Sequence, residues 1–210
     1  MKRLLFISLF SLLLFSCRSY HGPVTSKENY TQGTFTVVNP YFATIGEEHI
    51  FRAHISIFKK ELSGLLVVKR MDEQVHRVVL TSDFGNTLFD FSIYKDNPYA
   101  INYVMPDLDK KILLNFLAKD FGYLVEDTYA LVAKATQGDT TVYKGLYKKQ
   151  KTFVVVNQQE DVMEVIAASA RKPKISFTYA KAGEMVEIKH QNFPLSIQLT
   201  PLENNEIPHE

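Results

Sequence analysis

The chain predicts a mainly β fold with helices (α+β): an antiparallel sheet of about eleven strands, wrapped as a partly closed barrel with a helix on its concave side. Three observations carry this. Apolar and polar residues alternate with period two in run after run, divided by short polar turns, the pattern of strands in a meander. A single stretch near mid-chain changes clearly to helical spacing. Several strands are apolar on both faces, so the sheet must be covered on both sides or enclose something.

The first strand is Phe51 to Ile57, where Phe51, Ala53, Ile55 and Ile57 alternate against Arg52, His54 and Ser56. Lys59-Lys60-Glu61 divides it from a second, Leu62 to Arg70, and the turn Met71-Asp72-Glu73-Gln74 precedes a third, Val75 to Thr81. A fourth, Thr87 to Tyr94, sets Phe89, Phe91 and Ile93 against Asp90 and Ser92; Tyr99 to Met105 is a fifth. The period then switches. Leu108, Ile112, Leu113, Phe116, Leu117 and Phe121 fall on one helical face, with Pro106-Asp107 as start signal and Gly122 as stop. Residues 123–135 fit either a second helix or a strand through Tyr129, Leu131 and Ala133. Beyond Gln137-Gly138-Asp139 six strands follow: Thr141 to Tyr147, Lys151 to Asn157, Val162 to Ala168, Lys174 to Tyr179, Met185 to His190 and Leu195 to Thr200. Upstream, Pro40 to Ile45 suits a short amphipathic helix. No internal repeat or low-complexity segment divides the chain, so residues 33–210 form one domain.

Two-sided apolarity is clearest at Leu65 and Val67 against Leu66 and Val68, and at Phe153-Val154-Val155-Val156. For any single strand a filled core explains it. Across the chain, a helix packed inside a curved sheet is also a removable plug, one way to build a lipid-binding cavity. The candidate cavity residues are Phe51, Ile55, Leu66, Val68, Phe89, Phe91, Ile93, Leu113, Leu117, Phe177 and Ile197.

Composition narrows the function classes. A chain of 210 residues with 46% hydrophobic and 22% charged residues is not disordered. Its 24 basic and 23 acidic residues, with no basic run, leave no electrostatic footprint for nucleic acid. One cysteine excludes an internal disulfide, a thiolate metal cage and a Cys-x-x-Cys redox pair. The six histidines show no zinc-binding spacing, and there is no Gly-x-Ser-x-Gly elbow, phosphate loop or Ser-x-x-Lys. Asp107, Asp109 and Asp120 read as helix-dipole partners before catalysts. The expectation is no enzyme, no catalytic residue, no metal and no bound cofactor.

The N-terminus is the most specific segment. Met1-Lys2-Arg3 is followed by an uncharged run from Leu4 to Phe15, the pattern of a secretory signal peptide and too short to span a bilayer. It ends Leu14-Phe15-Ser16-Cys17, which resembles the bacterial lipobox, with Phe15 bulkier than usual. The alternative is an ordinary signal peptide with an incidental cysteine, yet the only Cys in the chain occupies that one place. Residues 1–16 are then a leader, Cys17 carries a diacylglycerol and an N-acyl chain, and residues 17–32 are the tether. Two or three acyl chains give stable anchoring where one is marginal. Arg18-Ser19-Tyr20 contains no Asp beside the cysteine, so the expected location is the outer membrane, lipid-anchored and facing the periplasm.

The stretch Arg77-Val78-Val79-Leu80-Thr81-Ser82-Asp83-Phe84-Gly85-Asn86-Thr87-Leu88-Phe89-Asp90-Phe91, with Leu62-Ser63-Gly64-Leu65-Leu66-Val67-Val68-Lys69 before it, resembles a strand hairpin of the LolB-like outer-membrane lipoprotein receptors. The resemblance implies an unclosed barrel of about eleven strands with helices lidding a hydrophobic cavity. It implies a monomer that accepts acylated lipoprotein cargo from a periplasmic carrier of the same fold and inserts it among membrane lipids. It also implies that Phe84 takes the place of the family's protruding aliphatic tip. Residue chemistry agrees, because a large apolar side chain in a polar turn marks a membrane or partner contact unless it folds back on the domain. The chain departs from the family in showing one clear lid helix and in having no Trp. An alternative with the same fold is a structural or assembly subunit of an envelope complex.

Overall fold

The computed structural model describes residues 19–24, 30–95, 99–180 and 185–202. Cys17 and the leader lie outside the described residues. Thirteen strands, all antiparallel, form one sheet: β1 (Thr31–Val38), β2 (Glu48–Ile57), β3 (Lys60–Arg70), β4 (Val75–Ser82), β5 (Thr87–Tyr94), β6 (Ala100–Val104), β7 (Thr128–Gln137), β8 (Thr140–Tyr147), β9 (Gln150–Val156), β10 (Val162–Ala168), β11 (Pro173–Tyr179), β12 (Val186–His190) and β13 (Leu195–Pro201). One helix, α1 (Lys111–Leu124), joins β6 to β7. The spatial order is β1-β7-β8-β9-β10-β11-β12-β13-β2-β3-β4-β5-β6. β1 and β6 are therefore edges that do not pair, and the sheet is open rather than closed into a barrel.

The two strands beyond the expected eleven are β1 and β7. Residues 123–135 resolve into both alternatives: α1 runs on to Leu124, and β7 begins at Thr128. Gly122 does not stop the helix. It is buried within the last turn, where Tyr123 and Leu124 are fully covered, and that packing outweighs the roughly 1 kcal/mol a helical glycine costs. The expected helix at 40–45 is only a 3-10 turn, Pro40–Phe42. A second 3-10 turn, Pro106–Leu108, precedes α1, so the proline signal marks that turn and the helix starts three residues after it.

The sheet has two cores, one on each face. The larger collects Phe51, Ile55, Phe89, Phe91, Phe177 and Ile197 with Leu113, Leu117 and Phe121 of α1. The smaller lies on the outer face of β7 to β10: Ala133, Ala135, Val142, Phe153, Val155, Ile166 and Ala168, covered by Tyr20, Val24 and Tyr30. Phe153-Val154-Val155-Val156 is apolar throughout because Phe153 and Val155 face outward and Val154 and Val156 inward. Between Leu131 and Ala133 the register to β8 slips. Tyr129 and Leu131 belong to the inner core, Ala133 and Ala135 to the outer one, as a bulge that breaks period two requires.

Within the expected tether, residues 19–24 lie against the sheet, and β1 starts at Thr31. Tyr20 N–H donates to Ala170 O at 2.8 Å, and its ring meets Phe153 edge-on with centroids 5.4 Å apart.

Candidate functional site

The β4–β5 hairpin closes through Ser82 N–H to Asn86 O (2.8 Å) and Gly85 N–H to Ser82 O (2.9 Å), with Gly85 at φ 81° as the turn demands. Asp83 is gripped from outside the hairpin. Arg52 Nη1 donates to its Oδ1 at 3.0 Å and Ser63 Oγ to its Oδ2 at 2.8 Å. The braced turn holds Phe84 away from the domain at 93% exposure. It does not fold back.

At the same end of the sheet the β2–β3 turn carries Phe58, exposed and with φ 54°, whose ring meets Phe193 at 5.1 Å. Phe193 stacks on Phe116 of α1 at 4.2 Å. An aromatic row thus links this end of the sheet to the helix.

All eleven candidate cavity residues, Phe51, Ile55, Leu66, Val68, Phe89, Phe91, Ile93, Leu113, Leu117, Phe177 and Ile197, are buried in the one inner core. Phe121 of α1 packs on Phe89 (5.6 Å) and Phe91 (6.3 Å), and Tyr123 stacks on Phe177 (5.3 Å). The larger clefts lie elsewhere. One of about 870 Å³ opens beside Tyr41 and the β9–β10 turn, and one of about 560 Å³ lies on the outer face among Lys144, Lys149, Lys151 and Lys174.

α1 is attached by side chains rather than by ladder bonds. Tyr147 and Tyr129 hydroxyls donate to Gly122 O and Tyr123 O, both at 3.1 Å, and Tyr99 donates to Asn115 at 2.6 Å. Tyr147 also bonds the Glu126 carboxylate, a group that burial pushes above the ordinary range. Sequence reading missed the contact of His190 Nε2 with Asp120 Oδ2 at 2.8 Å, which joins β12 to α1. Asp120 sits in the C-terminal half of α1, not at its start, so it is no dipole partner. Burial pushes its carboxyl up to about 6, against the hydrogen bond from His190, and Oδ1 has no partner. Other titratable side chains have partners of their own, as His76 Nε2 does in Phe42 O at 2.9 Å. His54 pairs with Glu61 at 3.0 Å, and Asp90 accepts two bonds from Arg77 (3.1 and 2.6 Å).

No protein-family model matches the chain, and no curated protein sequence does. The site's reading therefore rests on geometry. Among the described residues no group of three or more His, Cys, Asp or Glu is placed to hold a metal ion, and no helix is long and apolar enough to cross a membrane.

Proposed function

We propose that the protein is an outer-membrane-anchored lipoprotein that admits an acyl chain between its open sheet and α1, then releases it into the bilayer through the Phe84 hairpin, as the LolB-like receptors do. Phe84 carries the reading. An aromatic ring held in water forgoes about 1.5–3 kcal/mol of burial, and a braced turn that keeps it there suits a surface that meets lipid. The chemistry is transfer without reaction, so no catalytic group or cofactor takes part. Cargo is an acylated lipoprotein handed over by a periplasmic carrier of the same fold, and Cys17, carrying its own acyl chains, anchors the receptor. Displacing α1 would break side-chain contacts but no ladder hydrogen bond of the sheet.

Phe84→Glu tests the reading on the full-length acylated protein. It should melt with the parent, since exposed substitutions fall within about 0.5 kcal/mol. It should still take up a fluorescent acyl lipid yet fail to pass it to liposomes. Transfer at the parental rate would sink the proposal.

The packed inner core favours a second reading, an assembly subunit of an envelope complex that never opens. Native mass spectrometry of the purified protein separates the two. Co-purified acylated polypeptide supports the receptor, whereas a stoichiometric protein partner with no lipid supports the subunit.

A further inference from the structure

We infer that the lysine-lined cleft on the outer face of β7 to β11 is where the protein lies against an anionic lipid surface. The inference rests on the acylation of Cys17 and on nothing else in the receptor reading. The cleft, about 560 Å³, is walled by Lys144, Lys149, Lys151 and Lys174, and among the described residues no Asp or Glu lines it. Leu146 and Val132 stand in the same wall, 70% and 56% exposed. Glu164 is on this face, where it adds to the burial that raises the Tyr20 phenol, but it is not part of the wall.

Lys144 comes from β8, and the other three lysines from two short clusters distant in sequence, Lys148-Lys149-Gln150-Lys151 and Arg171-Lys172-Pro173-Lys174. Pairing of β9 with β10 and of β10 with β11 brings them to one place, with Lys151 opposite Ala168 and Ala168 opposite Pro173. Lys144 also lies over the Tyr30 ring at 4.5 Å and Lys151 over the Phe153 ring at 5.4 Å. Four like charges in one wall of a near-neutral protein still repel one another, and phosphodiester headgroups, which ammonium groups recognise as point charges, relieve that repulsion. The exposed leucine and valine between them suit the acyl boundary just below those headgroups. A soluble phosphate would leave the two apolar side chains in water.

The path of the chain sets the cleft beside the membrane. Tyr20 N–H donates to Ala170 O at 2.8 Å, Lys151 Nζ donates to Tyr20 O, and both Ala170 and Lys151 belong to the cleft wall. Cys17 is three residues before Tyr20, which spans at most about 11 Å of extended chain. Acyl chains on Cys17 would therefore be tethered within that reach of the cleft wall.

The chain has no tryptophan, so Leu146→Trp supplies a single fluorophore, and Val132→Trp is the second probe if the first variant does not fold. Full-length acylated protein is reconstituted in phosphatidylcholine vesicles with and without about 30% phosphatidylglycerol, each carrying brominated lipid as quencher. In the anionic vesicles the emission should shift to the blue and be quenched. Both effects should fade in phosphatidylcholine alone and in ~0.5 M salt. Adding Lys149→Glu with Lys174→Glu should abolish them while melting stays parental. Equal quenching in both vesicles, or quenching that survives the double reversal, overturns the inference. Vesicle flotation with an unshifted, unquenched probe overturns it while leaving the anchor intact; failure to float overturns both.

Discussion

Gly64→Ala puts a methyl group where the sheet has no room. A Cβ at this position of β3 would lie 1.8 Å from Thr81 O, 2.8 Å from Thr81 C and 3.0 Å from Ser82 Cα, all main-chain atoms of β4. A carbon–oxygen contact rests near ~3.3 Å, so the strands must part by about 1.5 Å. Their ladder spacing is about 4.8 Å, and such a shift carries hydrogen bonds of ~2.9 Å beyond bonding range. Losing two ladder bonds at about 1 kcal/mol each, with 1–3 kcal/mol of overpacking, gives roughly 3–5 kcal/mol. The damage falls at the base of the Phe84 hairpin, since Gly64 pairs with Ser82 and its neighbour Ser63 holds Asp83. Urea unfolding of the full chain should show a loss of this size. Amide exchange should accelerate first between residues 80 and 88. Gly85→Ala is the control: nothing lies within 4 Å of its Cβ, so only the φ 81° strain of about 1 kcal/mol remains. Melting of Gly64→Ala within about 0.5 kcal/mol of the parent would refute the packing argument.

Two carboxylates should respond to pH with opposite signs. Asp120, pushed up to about 6 by burial, keeps a proton that the unfolded chain has already released, so its contribution is complete below pH ~4 and fades as pH rises through 6. That rise corresponds to roughly 3 kcal/mol, and Asp120→Asn should flatten the melting profile over this interval. Asp90 is held below the ordinary carboxylate range by hydrogen bonds from Arg77, against its own partial burial, with Asn102 assisting. Its contribution is present above pH ~4 and lost in stronger acid, so Asp90→Asn should abolish that acid-side loss in the same scans. Tyr20→Ala removes the edge contact with Phe153; it should cost about 1 kcal/mol and open residues 19–24 to limited proteolysis.

Strands β2 to β5 and β8 to β13 are legible in the sequence because one face of each feeds a core, as the alternation of Phe51, Ala53, Ile55 and Ile57 shows. β1 is not. It is an edge strand with Val37 as its single buried side chain, so burial leaves no apolar period to read. β7 is ambiguous because only three residues, Val125 to Asp127, separate it from α1 and its faces exchange at the slip beyond Leu131. The Phe84 turn could be read because its signal, an aromatic among turn residues, is local. Asp120 and His190 are 70 residues apart, and the lysine cleft draws on several strands. Neither exists until the sheet is assembled.

The same topology governs when assembly can finish. β2, in the first third of the chain, borders β13, and Ala53 lies opposite Leu199. A chain emerging from its N-terminus can zip β2 through β6 locally, and later β1 with β7 through β12, but β2 and β12 stay unpaired on one side until β13 arrives. Contacts so distant in sequence slow folding because the loop must close before any bond rewards it. Through that interval β2 and β12 both expose open edges, which invite pairing with a neighbouring chain. A nascent or truncated molecule lacking β13 is therefore a natural client for a holding chaperone, and the C-terminal strand works as the clasp that ends its vulnerability.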